Sequence, residues 1–325
     1  MLWLPLARAI HIAASIMLAG LFAFRLFVLA PLASRSASAV YGATGYDRVD
    51  RFQPRFKGIC SLLALVAWST VVVSAVVWFW VVAANISGAP TMLEVDGETL
   101  QTVLLQTQFG HLWAGRLGCC LVLGILLFSG AHELIIAFLA FAILASLAAS
   151  GHAGALVTNA GLLPIAGDVG HLIAAAFWPG GLVPLLVLLV GQYRSADQGN
   201  RKFVADVVRR FSRFSLVVVG LLAATGLLNS YFIVGSLGAL FTTDYGRLLL
   251  LKIVLFFLML ALGALNLLVL KPRLCHAAMD ETRAEGTLSM QSLIRSVACE
   301  TLLAAGLVFV VGFLGSTPPP MHGDM

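Results

Sequence analysis

The stretch Leu2-Trp-Leu-Pro-Leu-Ala-Arg8-Ala-Ile-His11-Ile-Ala-Ala-Ser-Ile-Met-Leu-Ala-Gly20 opens an apolar run that continues to Leu32. A helix that crosses a bilayer needs about 20 apolar residues, whereas the apolar core of a signal peptide has about 7–15. The run is too long for a signal peptide, and no small-residue cleavage site follows it. We therefore expect it to be a retained first transmembrane span.

The composition of the whole chain is that of a protein solvated mainly by lipid. Of its 325 residues, 60% are hydrophobic and 11% are charged, whereas soluble domains carry about 25% charged residues. The net charge of +5 is expected when Lys and Arg are retained in cytoplasmic loops. No basic stripe interleaved with aromatics indicates a nucleic-acid partner. The five cysteines include no CxxC pair, so neither a disulfide framework nor a cysteine-based zinc site is expected.

Eight apolar stretches are long enough to cross the membrane as helices, which predicts an all-α polytopic membrane protein with eight transmembrane helices. The stretches lie at roughly 4–31, 59–84, 112–130, 134–150, 162–191, 214–236, 247–270 and 293–315. Spans 3 and 4 are short, and we predict a tight turn between them at Ser129–Glu133.

The distribution of basic residues predicts the orientation of these spans. They are concentrated in the loops after spans 1, 5 and 7: Arg35, Arg48, Arg51, Arg55, Lys57; Arg194, Arg201, Lys202, Arg209, Arg210, Arg213; Lys271, Arg273, Arg283, Arg295. The segments 85–110, 151–161 and 237–246 contain no Lys or Arg. Because basic loops stay in the cytoplasm, we expect both termini to lie outside it.

The two halves of the chain resemble each other, which predicts two parallel four-helix repeats, 1–150 and 151–325. The segment from His11 to Leu21 resembles the one from His171 to Leu182. The remaining matches, in the same order, are Arg51-Phe-Gln-Pro-Arg-Phe56 with Arg210-Phe-Ser-Arg-Phe214, and Gly115-Arg-Leu117 with Gly246-Arg-Leu248. The interface between such repeats is a natural place for a site near the membrane midplane.

Histidines are the main candidate metal ligands. The topology places four of them in the outer half of the membrane: His11, His111, His152 and His171. Imidazoles on converging helices bind copper, zinc or haem iron, but they also serve as interfacial residues or as interhelical hydrogen-bonding groups. Asp168, one turn before His171, shares its face and is expected to orient its imidazole. Packing is the role expected of Trp178.

Other polar residues at membrane depth suggest either interhelical hydrogen bonds or a polar path. Lys252, Met259 and Asn266 follow one face of span 7, while Asn229 lies in span 6 and Glu300 in span 8. Near span ends, we expect the arginines to reach the interface along their apolar stems: Arg25, Arg116 and Arg247. Two further groups offer soft ligands: Cys275, His276 and Met279; and Met321, His322 and Met325.

The second half resembles the CopD family of bacterial inner-membrane copper-resistance proteins. The motifs that carry the resemblance are Ser150-Gly-His-Ala153, His171 with Trp178 and Gly180-Gly-Leu182, Arg210-Phe-Ser-Arg-Phe214, Thr225-Gly-Leu-Leu-Asn229, Tyr245-Gly-Arg-Leu-Leu-Leu-Leu-Lys252, Gly263-Ala-Leu-Asn266 and Leu314-Gly-Ser-Thr-Pro-Pro319. Arg8-Ala-Ile-His11 in span 1 fits as well. The resemblance implies copper handling across the inner membrane, often alongside a periplasmic copper carrier.

Span 1 is also similar to the first helix of the membrane-bound, haem-linked protoporphyrinogen oxidase family, through His11, Ala19-Gly-Leu-Phe22 and Arg25-Leu-Phe-Val28. That resemblance implies a haem or porphyrin site, with His11 and His171 as axial ligands of haem b in an oxidoreductase. A third interpretation is a membrane partner that only docks a periplasmic copper carrier. No ATP-binding motif occurs, so uphill transport would need a gradient or a partner.

Overall fold

A computed structural model describes residues 2–32, 49–89, 91–150, 162–195, 201–234, 237–279 and 283–320. These residues are helical almost throughout, and no strand occurs among them. Eight helices in this part of the chain are long and apolar enough to cross a membrane. The predicted all-α protein with eight membrane-spanning helices is confirmed.

The eight spans are Trp3–Leu32, Phe56–Ser87, Gln108–Ser129, Glu133–Ser150, Leu163–Arg194, Lys202–Val234, Asp244–His276 and Gly286–Leu314. The helices within and between them are α1 Trp3–Ala23, α2 Val49–Ser87, α3 Gly97–Gln106, α4 Gln108–Ser129, α5 Glu133–Ala145, α6 Leu163–Phe177, α7 Pro179–Ser195, α8 Arg201–Val234, α9 Ala239–Thr242, α10 Asp244–Leu265, α11 Lys271–Met279 and α12 Arg283–Leu314. Spans 2, 6 and 8 begin earlier than hydropathy predicts, because their helices continue through polar turns beyond the apolar core.

The turn between spans 3 and 4 lies where it was predicted. Helix α4 ends at Ser129, and Gly130 follows with φ of 68°, in the left-handed region that glycine adopts at little steric cost. His132 then caps α5, where its ring accepts a hydrogen bond from the N–H of Leu134 at 3.3 Å. The short apolar stretches are therefore two spans rather than one.

Four of the described spans depart from regular α-helix, span 4 through a 3-10 segment at Ala148–Ser150 that follows the end of α5. Span 1 contains a π-helical segment at Phe24–Leu29, and span 7 contains one at Asn266–Leu270. Span 5 changes from α6 to α7 at Trp178, where Pro179 lacks the N–H that would bond to the preceding turn. Such irregularities are often found at functional sites.

Helices α4 and α10 begin in the same way. The hydroxyls of Thr107 and Thr243 accept hydrogen bonds from the N–H groups of Gly110 at 2.9 Å and Gly246 at 3.0 Å. A Cβ would lie 2.1 Å from a carbonyl oxygen of α3 at Gly110, and 2.2 Å from one of α9 at Gly246. Gly115 has open space around its Cα. In these contacts Gly110 resembles Gly246, whereas Gly115, which the sequence matched with Gly246, does not.

Span 1 is the most buried of the eight spans and packs against spans 2, 4, 5 and 8. Its closest approach to span 5 involves Gly20 and Gly180. A Cβ at Gly20 would lie 2.5 Å from the carbonyl oxygen of Ala176, and a Cβ at Gly180 would lie 2.5 Å from that of Ile16. The two backbones touch here because neither glycine carries a side chain, as at other close helix crossings in membranes.

Candidate functional site

His11 is fully buried in span 1 and has one fixed tautomer. Its Nδ1 lies 3.0 Å from Ser74 Oγ and 3.2 Å from the carbonyl oxygen of Val71. The Ser74 hydroxyl donates its own hydrogen to the carbonyl oxygen of Thr70, at 2.5 Å. Because both groups facing Nδ1 act as acceptors, Nδ1 must carry the proton. The lone pair is then on Nε2, which is buried and has no hydrogen-bond partner.

Two tryptophans and two arginines enclose this imidazole. The ring centroids of Trp78 and Trp113 lie 5.5 and 5.9 Å from that of His11. The guanidinium of Arg8 lies 4.8 Å from the centre of the Trp78 ring, and that of Arg116 lies 4.3 Å from the centre of the Trp113 ring. Both contacts are within the range of cation–π attraction.

The sequence-based interpretation of Arg116 as an interfacial residue is wrong. Its side chain is only 2% exposed. Its Nε donates to Ser146 Oγ at 2.9 Å, and a terminal nitrogen donates to Ser150 Oγ at 3.4 Å. Because the hydroxyls of span 4 and the Trp113 ring stabilise the cation inside the bundle, it does not need to reach the interface. Arg25 pairs with Glu133, and Arg247 lies exposed beside Asp244.

His171 repeats the arrangement of His11 in the second half. Its Nδ1 lies 3.0 Å from Thr225 Oγ1, and that hydroxyl donates its hydrogen to the carbonyl oxygen of Leu221 at 2.6 Å. With its hydrogen donated there, the hydroxyl accepts from Nδ1, an arrangement in which Nε2 carries the lone pair, as in His11. Asp168 does not orient this ring, contrary to expectation, because its carboxylate accepts from Asn229 Nδ2 at 3.3 Å instead.

A charged cavity of about 150 Å³ is lined by neighbours of the two histidines, although neither histidine is among the residues that line it. Trp78 forms part of its wall and also contacts His11. Gly226 also lines the cavity, and a Cβ there would lie 3.6 Å from Cε1 of His171. The polar residues that line it are Arg8, Asp168, Asn229, Ser230, Tyr245 and Lys252. Its lining includes two cations and one carboxylate, so it carries excess positive charge.

We expect Asp168→Asn to lower the apparent melting temperature of the detergent-purified protein. Asp168 interacts electrostatically with both Lys252 and Arg8, and losing a charge partner several ångströms away costs on the order of 2 kcal/mol at an effective dielectric constant near 20. Adding Lys252→Met should recover part of the loss. The matched control is Asp244→Asn, since Asp244 is 85% exposed beside Arg247 and such pairs contribute little. Equal melting temperatures for Asp168→Asn and wild type would contradict the interaction.

The structure does not gather the predicted metal ligands into one group. Within the described ranges, no three or more His, Cys, Asp or Glu side chains are close enough together to hold a metal ion. His111 is exposed, and its Nε2 lies 2.8 Å from the carbonyl oxygen of Leu105. His152 and the tail residues Met321, His322 and Met325 lie outside the described residues. Cys275 and His276 lie at the other end of the bundle, on α11.

The residues of the predicted polar path separate into two places. Asn229 and Lys252 line the charged cavity. Met259 is only 1% exposed, and Asn266 bonds to Glu300 in a second cavity. Trp178 also bonds to Glu300, so its role exceeds packing. Sequence reasoning assigned no site role to Arg8, Ser74, Thr225 or Tyr245. A buried imidazole could be expected to have a hydroxyl partner, but the sequence did not indicate which hydroxyl.

Comparison with known proteins identifies the family. The model for copper resistance protein D matches residues 205–314, and the model for the N-terminal domain of copper resistance protein D-like proteins matches residues 1–162. The chain belongs to the copper resistance protein D family.

Three relatives illustrate the similarity. Copper resistance protein D of Pseudomonas syringae pv. tomato is 27% identical over 99% of both chains. Copper transport protein CutJ of Bacillus subtilis is 35% identical over 50% of this chain. The match spans only 29% of the length of CutJ. Inner membrane protein YebZ of Escherichia coli is 31% identical over 62% of this chain and 71% of its own length. No solved structure matches the chain.

The motifs by which the chain resembles the copper resistance protein D family converge on the two cavities. Members of three motifs, 225–229, 245–252 and 314–319, line the charged cavity, and residues of 263–266 line the second. Residues far apart in sequence thus share a site because spans 5 to 8 pack together. The haem interpretation finds no support among the family models or relatives.

Proposed function

We propose that the protein carries copper across the bacterial inner membrane, with His11 and His171 as imidazole ligands for the ion in transit. One observation carries the proposal: the same histidine–hydroxyl pair occurs twice, and a neighbour of each histidine lines one charged cavity. Hydroxyls that accept from Nδ1 orient each ring and leave Nε2 as the donor atom. Metal-binding histidines are commonly held in this way, and imidazole suits copper.

The charges of the cavity suggest how copper is selected. Arg8 and Lys252 outnumber Asp168, so the field opposes free cations, as an arginine does in other pores. Copper would therefore cross as an ion held by neutral imidazoles rather than as a hydrated ion. The positioning and gating residues in this proposal are Arg8, Asp168 and Lys252. Asn229 supports them by donating a hydrogen bond to Asp168.

The other residues predicted from the sequence have subsidiary roles in the proposal. His111 and His152 would receive copper at the outer entrance, before it reaches His171. Met259 and Asn266, below the charged cavity on span 7, would lie along the onward route. A periplasmic copper carrier would deliver the ion to this entrance, and membrane lipids surround the bundle.

The topology proposed is both termini outside the cytoplasm. Arg194 near the end of span 5 and Lys271 near the end of span 7 support it, since Asp168 and Lys252 of the charged cavity lie in the first halves of those spans. The cavity then opens on the periplasmic half. The name of the relative YebZ, an inner membrane protein, is consistent with the inner-membrane location proposed here.

The two halves are proposed to be parallel four-helix repeats related by an axis along the membrane normal. Reciprocal contacts support this: Gly20 meets the carbonyl of Ala176, and Gly180 meets that of Ile16. In the proposed repeats Gly20 corresponds to Gly180, and Ile16 corresponds to Ala176. The same contact therefore occurs twice with the two spans exchanged, as expected of a two-fold relation. The matching starts of α4 and α10, and the matching histidines, obey the same relation.

The test is metal analysis together with an absorption spectrum on one detergent-purified sample. Near-stoichiometric copper without a Soret band is the expected result. A Soret band without copper would overturn the proposal in favour of a haem protein. Protein that retains neither metal nor haem, and gains copper only with a periplasmic carrier, would support a docking role instead.

A further inference from the structure

A second cavity, of about 140 Å³, lies among spans 5, 6, 7 and 8, and a buried carboxylate forms part of its wall. Glu300 on span 8 is only 2% exposed. Its Oε1 accepts from Trp178 Nε1 at 2.9 Å, and its Oε2 accepts from Asn266 Nδ2 at 2.9 Å. Each carboxylate oxygen therefore has one neutral donor and no cation.

Glu300 is the only ionisable group among the described residues that line this cavity. An ionised carboxylate without a counter-charge is costly at membrane depth. The other ionisable residues that the structure describes on spans 5 to 8 are not among those that line this cavity. A proton is then the natural means of neutralising Glu300.

Two polar atoms on residues that line this cavity lack hydrogen bonds. They are Asn266 Oδ1 and Ser215 Oγ, both buried, and both residues line the cavity. If Glu300 gains a proton on Oε2, it becomes a donor there, and the N–H of Asn266 no longer has an acceptor at that position. Rotation of the Asn266 amide presents Oδ1 to the new O–H and satisfies it. The unpartnered oxygen is thus the acceptor that a protonated Glu300 requires.

Both donors to Glu300 are placed where their helices are irregular. Trp178 separates α6 from α7, and Asn266 begins the π-helical segment of span 7. Interrupted helices in transporters commonly form the sites of coupling ions. They provide backbone that can rearrange when the ion binds or leaves.

We propose that Glu300 binds and releases one proton during copper transport, with the Asn266 amide rotating between the two states. This inference rests on the proposed function and adds its energy source. In the loaded state the proton is on Oε2, and this O–H donates a hydrogen bond to Asn266 Oδ1. In the empty state Asn266 Nδ2 donates to the carboxylate, as in the structure, and the proton has passed to water in the cavity. No other bond changes.

Copper uptake into proteoliposomes under an imposed pH gradient tests this directly. With one proton exchanged per copper ion, each pH unit of gradient should change the copper accumulation ratio about tenfold. Glu300→Gln keeps the shape and neutral character of the protonated acid, so it should fold, and its accumulation ratio should not respond to the gradient. The matched control is Glu133→Gln, a half-exposed carboxylate paired with Arg25, which should respond like wild type.

The outcomes separate this inference from the proposed function. Copper accumulation that ignores the gradient in wild type would overturn proton coupling and leave copper transport standing. Absence of uptake in all variants would overturn transport itself. Infrared spectroscopy then tests proton binding alone. A carboxylic C=O band that titrates with pH in wild type and is absent from Glu300→Gln supports proton binding by Glu300. Identical spectra for the two proteins would overturn it.

Discussion

Alanine at His171 or His11 is expected to reduce copper retention and copper transport by at least about 100-fold, because each change removes a proposed ligand. The estimate exceeds the 10–100-fold loss typical of removing a group that only orients a ligand. Retention is measured by metal analysis of purified protein, and transport by uptake into proteoliposomes. Size-exclusion profiles in detergent establish that the variants are folded.

The hydroxyls that hold the rings supply a graded comparison. Thr225→Val and Ser74→Ala keep the imidazoles but remove their acceptors, so losses of about 10-fold are expected. His132→Ala serves as the matched control among the described histidines, because its ring is exposed at the start of α5, accepts from the N–H of Leu134 and has no role in the proposed copper route. Wild-type copper retention by both His11→Ala and His171→Ala would remove these residues as ligands.

Gly20→Ala and Gly180→Ala are expected to have the largest effects on stability. A Cβ at either position would lie 2.5 Å from a backbone carbonyl oxygen of the other span, so spans 1 and 5 would have to separate. Overpacking typically costs about 1–3 kcal/mol. We expect the loss of stability here to be at the upper end of that range, because backbone atoms cannot move aside as a flexible side chain can. A lower apparent melting temperature and reduced yield of monodisperse protein are the measurements.

Gly118→Ala and Gly306→Ala are the matched controls for the crossing. Both glycines are helical, and an added Cβ meets nothing within 4 Å. Since alanine is favoured over glycine in a helix by about 1 kcal/mol, these variants should be unchanged or slightly more stable. Equal stability of Gly20→Ala and Gly118→Ala would mean that spans 1 and 5 do not touch at Gly20.

The eight spans could be predicted because hydropathy acts locally. A run of apolar residues, as in span 7, partitions into the membrane whatever its neighbours are, and helix satisfies its backbone hydrogen bonds. The turn at Gly130 was predictable for the same reason. The ends of the helices were not predictable. The spans that begin at Phe56 and Lys202 start in polar turns, which a hydropathy profile does not assign to a span.

The site was predictable only as a set of residue types. His11, His171, Lys252 and Glu300 are noticeable in the sequence because ionisable groups are rare at membrane depth. Their partners depend on how far each helix slides and rotates against its neighbours. Arg116 illustrates the consequence: its position in span 3 suggested an interfacial side chain, yet Trp113 and the hydroxyls of span 4 hold it inside.

By itself the sequence determined the all-α class, the eight spans, the turn between spans 3 and 4 and the family, because all four depend on local composition and motifs. Only the tertiary structure decided that Ser74 and Thr225 hold the two imidazoles, that Asp168 bonds Asn229, and that Glu300 occupies a separate cavity. Those pairings depend on the register between packed helices, which close contacts determine; the approach of the backbones of spans 1 and 5 at Gly20 and Gly180 is one example. Contacts between distant residues arise from that register, which no local pattern encodes.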